Sequence, residues 1–129
     1  MNNNIHKLAQ HYLNTAISLS NLSKVETLQV GAVIVDTQGN IVGVGYNSAP
    51  FYLEDPQDLY ETTVHAEEMA LLSRSDQPHL LVCTHAPCLS CASKMFLAGV
   101  KEVWYKNPYK NDKGLQYLER LGIKTKQYE

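Results

Sequence analysis

His65-Ala66-Glu67, followed downstream by Pro87-Cys88-Leu89-Ser90-Cys91, constrains this chain more than any other feature. One imidazole and two thiolates suit a single zinc ion and leave its fourth tetrahedral position to water, and such an open position marks a catalytic metal. The residue types follow from the chemistry. Water is a poor nucleophile at neutral pH, and zinc lowers its pKa from 15.7 to about 7. Cys88 and Cys91 stand three apart, which on a helix places both sulfurs on one face, a turn apart. Pro87 suits the entry to that helix, where its missing N–H is no loss. The positive end of that helix favours both thiolates. His65 supplies the third ligand as a neutral imidazole. Glu67 lies too close to His65 along the chain to be an obvious fourth ligand, but it can reach the water, and we assign it proton transfer.

Taken singly, each part has a blander reading. C-x-x-C alone could be a redox pair, a corner of a structural zinc site or two buried small side chains. H-x-E alone means little in a chain with five histidines. A structural zinc site would want a fourth Cys or His in a second closely spaced pair. The remaining cysteine, Cys83, ends the apolar run Leu80-Leu81-Val82 and reads as a buried strand residue. The combination, in this order and each at the start of a helix, favours the catalytic reading.

Composition narrows the partners. At 129 residues the chain reads as one domain, 1–129, and 44% apolar content is ordinary for a folded one. A net charge of −2 argues against a protein built to grip polyanions. No stretch reaches the length of a membrane span, and Met1-Asn2-Asn3-Asn4-Ile5-His6-Lys7 lacks a secretory signal pattern. Three cysteines, two committed to metal, make no disulfide framework, so a reducing cytoplasm is expected.

Periodicity gives the elements. Ile5, Leu8, Ala9, Tyr12, Leu13, Ala16 and Ile17 recur at three-and-four spacing, predicting a helix that ends near Leu22. Val30–Val35 and Ile41–Tyr46 read as strands joined through the turn residues Asp36-Thr37-Gln38-Gly39-Asn40. A loop is expected from Asn47 to about Thr63, then a helix from about Val64 to Ser73. Strand Leu80–Thr84 follows, then a helix from the cysteines to Gly99, a natural C-terminal cap. Strand Glu102–Lys106, helix Lys113–Leu121 and strand Ile123–Gln127 complete the chain. A hairpin followed by alternating helix and strand predicts a mixed α/β sheet with helices on both faces and its site at the carboxyl ends of strands.

Across nearly its whole length the chain resembles the cytidine deaminase-like superfamily, and more closely the deoxycytidylate (dCMP) deaminase family, including short phage-type members. The segments are Gln29–Val35, Gly45-Tyr46-Asn47-Ser48-Ala49-Pro50, His65-Ala66-Glu67, Thr84–Ala92, Ala98–Val103, and Tyr109 with Gly114-Leu115, Leu118 and Leu121-Gly122-Ile123. The resemblance implies a three-layer α/β/α fold with a five-stranded mixed sheet, and hydrolysis of dCMP to dUMP and ammonia. It implies one catalytic Zn2+ on His65, Cys88 and Cys91, with proton transfer at Glu67. Asn47 would bond the nucleotide near its sugar or base, the Ala66 N–H would hold the pyrimidine carbonyl, and the Ala86 carbonyl would accept from the departing amine. Tyr109 would line or cover the pocket. Asn47 also reads as a left-handed turn residue, and Tyr109 as surface packing. The resemblance further implies a homo-oligomer built from dimers, up to a hexamer, in a bacterial cytoplasm or a phage-infected host cell.

Some positions depart from the family pattern. Met69 stands where Asn is frequent, and Lys24 and Glu26-Thr27-Leu28 stand where many members place an Arg. The stretch between Pro50 and His65 is short and has no cysteine, so the second, structural zinc of some members is not expected. Lys24, Arg74, Lys94, Lys110 and Lys113 are candidate phosphate partners, with a solvated side chain as the default. Phe51, Tyr52, Tyr105 and Tyr109 are compatible with a subunit interface. Two other functional classes stay open. One is deamination of tRNA adenosine or of a free cytosine nucleoside, since His65–Leu71 is also similar to tRNA adenosine deaminases; nucleic acid fits the acidic balance poorly. The other is a non-catalytic zinc-stabilised interaction module, which would have no use for Glu67.

Overall fold

The computed structural model describes residues 7–25, 27–48 and 63–128. Within them run α1 (Ala9–Ser20), β1 (Gly31–Val35), β2 (Ile41–Tyr46), α2 (Ala66–Ser73), β3 (Leu80–His85), α3 (Leu89–Ala98), β4 (Glu102–Asn107), α4 (Lys113–Arg120) and β5 (Lys124–Gln127). The hairpin between β1 and β2 turns on Asp36, whose Oδ1 accepts from the N–H of Gln38 and of Asn40, both at 2.9 Å. Gly39 takes the positive φ of 89° that this turn requires.

The strands form one sheet in the order β2-β1-β3-β4-β5. β1 pairs antiparallel with β2 and β3, while β3–β4 and β4–β5 are parallel. Each parallel pair is joined by a helix, α3 or α4, as a parallel connection demands. β1 and β3 are apolar and buried along nearly their whole length, the mark of strands covered on both faces. Alternation then divides their side chains. Val33, Val35, Leu80, Val82 and Trp104 pack with Tyr12, Leu13 and Ala16 of α1. Ala32, Ile34, Leu81, Cys83 and Val103 pack on the opposite face with Ala66, Ala70, Cys91, Ala92, Met95 and Leu118 from α2, α3 and α4. The expected mixed sheet between two helical layers is what the chain forms.

Several boundaries differ from expectation. α1 begins at Ala9, and the predicted start at Ile5 lies outside the described residues, as does most of the predicted loop, with Phe51 and Tyr52. Val64 is not helical: it forms a bridge with Ser48, which delays α2 to Ala66. β3 and β4 each run one residue longer than predicted because His85 and Asn107 remain in register. α3 ends where predicted, with Gly99 at φ 95° and the N–H of Val100 returning to the Met95 carbonyl.

Candidate metal centre

Two helix starts bring the three predicted ligands together. Ser48 and Val64 exchange backbone hydrogen bonds of 3.0 and 2.7 Å, which sets the chain direction just before His65, the N-cap of α2. Gly45 of β2 lets α2 close on the sheet: a Cβ there would lie 2.3 Å from the Ala66 carbonyl oxygen. Cys88 is the N-cap of α3, and its Sγ accepts from the N–H of Cys91 at 3.4 Å. Pro87 stands immediately before the cap, at the entry to the helix, where the sequence reading put it. The cap is the Cys88 sulfur itself. The predicted help from the helix start is realised as one backbone N–H aimed at sulfur.

His65 Nδ1 stands 3.2 Å from Cys91 Sγ and 3.6 Å from Cys88 Sγ. All three donor atoms lie within 4.8 Å of one another, close enough to hold one metal ion. Their chemistry fits zinc: two soft sulfurs and an imidazole, a set that leaves one tetrahedral position over. Cys83 is fully buried in β3 and is not among them, as the sequence indicated.

Charge is unevenly held in this cluster. Hydrogen bonds from Cys91 and then His65 bring the Cys88 thiol down to about 3. The bond to Cys88, followed by burial, pushes the Cys91 thiol up. His65 is raised, chiefly by its hydrogen bond to Cys88. Of the two thiols, Cys88 gives up its proton the more readily. Glu67, in the first turn of α2, is only 5% exposed, and burial raises its carboxyl above the ordinary value against a smaller opposing effect from Cys91. A carboxyl of raised proton affinity thus sits beside the ligand Cys91.

Asn47, just past the end of β2, is already engaged. Its Oδ1 accepts from the Val30 N–H at 2.8 Å and its Nδ2 donates to the Leu28 carbonyl at 2.6 Å. Its backbone φ is not positive, so the left-handed turn reading is wrong; the side chain ties β2 to the segment before β1. Ala66 is the first residue of α2, where helix geometry supplies no intrahelical acceptor for its N–H. Ala86 is buried, its N–H donated to the Asn107 carbonyl. Tyr109 is half-buried with Lys110 over its ring at 5.6 Å. Two candidate phosphate partners are occupied: Lys94 pairs with Glu68 at 2.8 Å and Arg74 bonds the Leu71 carbonyl at the end of α2. Tyr105 packs half-buried against the core and is not an exposed loop residue. A cavity of about 520 Å³ lined by Glu102, Glu119, Ile123 and Lys124–Lys126 opens at the amino-terminal end of β4, away from the ligands.

Sequence reasoning missed Asn107, Thr84 and the role of Gly114. Asn107 Nδ2 donates to the Thr84 carbonyl at 3.0 Å, and Thr84 Oγ1 accepts from the Gly31 N–H at 3.1 Å. Together they fix the end of β3, from which the cysteine turn departs. The signal was available only as a polar residue at the end of each apolar strand.

Comparison with known proteins agrees with the geometry. Residues 6–107 match the family model described as the cytidine and deoxycytidylate deaminase zinc-binding region. An uncharacterised deaminase of Aliivibrio fischeri is 35% identical over 78% of this chain and 73% of its own length. The deoxycytidylate deaminase of Saccharomyces cerevisiae is 29% identical over 92% of this chain, which spans only 44% of that protein. Among solved structures, the dCMP deaminase of cyanophage S-TIM5 in complex with dCMP and dUMP superposes with a TM-score of 0.84 at 30% identity, covering 95% of this chain and 97% of that one.

Proposed function

This chain belongs to the cytidine and deoxycytidylate deaminase family, and from that premise we propose that it hydrolyses dCMP to dUMP and ammonia. The carrying observation is a His-Cys-Cys donor set within 4.8 Å, with the buried carboxyl of Glu67 beside Cys91. We assign His65, Cys88 and Cys91 to one Zn2+. Zinc in such a site supplies a nucleophilic water at neutral pH.

The residues of the chain do the rest. Glu67 accepts a proton from the attacking water on a carboxylate oxygen and delivers it to the ring nitrogen N3; it then takes the second proton from the new C4 hydroxyl and gives it to the 4-amino group. The C4–N bond breaks, a C4 carbonyl forms and one water is consumed. Burial suits Glu67 to this work, because a raised carboxyl pKa brings its proton affinity toward that of the groups it serves. The Ala66 N–H, without an intrahelical acceptor, is assigned to the pyrimidine 2-carbonyl, and the Ala86 carbonyl to the departing amine. Asn47 retains one Nδ2 hydrogen and one Oδ1 lone pair beyond its two backbone bonds, enough to bond the nucleotide while staying anchored. Tyr109 is assigned to the wall of the pocket.

Loss of cytosine absorbance on incubating purified chain with dCMP, dCTP, deoxycytidine or cytidine tests this, with zinc measured in parallel. Turnover greatest with dCMP and one zinc per chain is expected. Material carrying one zinc yet inert toward all four substrates would overturn the proposal.

Assembly from dimers, up to a hexamer, is part of the same reading. Leu72 and Leu97, each 81% exposed on α2 and α3, offer apolar side chains that such an interface could bury. Light scattering at working concentration checks it, and a monomer would refute it. No helix among the described residues is long and apolar enough to cross a membrane. A cytoplasmic setting is proposed on the three free thiols.

A further inference from the structure

The turn that carries Cys88 is held by two residues outside the ligand set. On one side stands Asn107 at the end of β4. Its carbonyl accepts from the Ala86 N–H at 2.8 Å, and its Nδ2 donates to the Thr84 carbonyl at 3.0 Å. On the other side the first turn of α4 lies directly on the turn. A Cβ on Gly114 would fall 2.2 Å from the Pro87 carbonyl oxygen and 2.9 Å from the carbonyl carbon and oxygen of Cys88. All three atoms are backbone, so no flexible side chain can yield. Moving the Pro87 oxygen from 2.2 Å to the 3.4 Å of ordinary contact would displace this turn by about 1.2 Å.

We propose that Gly114 and Asn107 are positioning residues for the metal centre. They brace the Thr84–Cys88 turn from behind and thereby set the separation between Cys88 Sγ and His65 Nδ1. A tetrahedral ion needs Zn–S near 2.3 Å and Zn–N near 2.0–2.1 Å, so ligand displacements well below an ångström already matter. The brace comes from β4 and α4, whereas the ligands come from the starts of α2 and α3. Ligand geometry is therefore dictated partly by the far end of the chain. The inference rests on the His65-Cys88-Cys91 metal site and is independent of which nucleotide is the substrate.

Cobalt(II) titration of the metal-free, full-length chain tests it, read from the thiolate-to-cobalt charge-transfer and d–d bands. Gly114→Ala is expected to weaken cobalt binding by about 10- to 100-fold and to shift the d–d band, with Asn107→Ala near the lower end of that range. Gly122→Ala serves as the matched control. It lies just beyond the other end of α4 at φ 80° with nothing within 4 Å of its Cβ, so it strains the backbone without touching the turn. It is expected to lower the melting temperature and leave cobalt binding and spectrum unchanged. If Gly114→Ala does not fold, Asn107→Ala decides. Wild-type affinity and spectrum in the two brace variants would overturn the proposal, as would an equal loss in Gly122→Ala. A wild-type chain with no charge-transfer band would instead overturn the metal centre, a separate failure.

Discussion

A carboxyl as buried as that of Glu67 binds its proton more tightly in the folded chain than in the unfolded one. Stability of the metal-free protein from this group is therefore greatest at low pH and falls as pH rises from the unfolded carboxyl value of 4.5 through the raised folded one. Glutamine keeps the shape and never ionises. Glu67→Gln is expected to retain zinc, to lower kcat by about 10²- to 10⁴-fold, and to melt no lower than the parent at neutral pH without metal. Calorimetry of the chelated proteins together with dCMP turnover checks both halves; a large loss of stability would contradict the burial argument. The ligands carry a second pH dependence. Metal must displace the proton that Cys91 holds, and, as pH falls through the raised His65 value, that proton too. Zinc affinity should rise by about tenfold per pH unit near neutrality and more steeply in the acid range, as chelator competition would record. His65, Glu67, Cys88 and Cys91 were legible from residue type and spacing because metal chemistry admits few side chains. The backbone bonds of Asn47 and Asn107 were not, since an amide that ties two strands leaves no pattern in its own sequence.

Helices α2 and α3 present their ligands from their caps and first turn, so the depth to which each helix seats against the sheet determines the site. Gly45 shows the constraint at α2: its absent Cβ makes room for the Ala66 carbonyl at 2.3 Å and the Ala70 N–H at 2.6 Å. Gly45→Ala is expected to destabilise the fold by about 1–3 kcal/mol, the range for overpacking a closed interface, and to weaken metal binding as His65 lifts with its helix. Urea unfolding and zinc titration of the same variant measure the two effects, and wild-type values in both would show that α2 is free to shift. The edges of the sheet are also managed by local chemistry. Ser73 Oγ donates to the Val44 carbonyl at 3.1 Å and the Ser75 N–H to the Val42 carbonyl at 2.8 Å, which blunts the open side of β2. At the other edge β5 carries Lys124 and Lys126. Periodicity located every described element, because apolar strands and three-and-four spacing are strong local signals. It misplaced one helix start, where Val64 obeys a bridge made with the distant Ser48.

The whole molecule separates its core from its chemistry. α1 covers one face of the sheet with Tyr12, Leu13 and Ala16, while the ligands stand at helix starts on the other face. Trp104, the single tryptophan, belongs to the α1 face, fully buried against Tyr128 with ring centroids 5.0 Å apart and its indole N–H donated to Glu102. A zinc site that nucleates folding would leave the chain unstructured without metal. Here two buried clusters cover both faces of the sheet, so the fold is expected to stand without metal. Removing zinc with a strong chelator is expected to abolish turnover and to leave the far-ultraviolet circular dichroism and the blue-shifted Trp104 emission unchanged at 25 °C. The melting temperature should still fall, since the lost binding contributes about 1.4 kcal/mol for each tenfold excess of metal over its Kd. Emission from Trp104 moving to the red on chelation would mean that the α1 face senses the metal across the sheet, and the separation argued from the two clusters would fail.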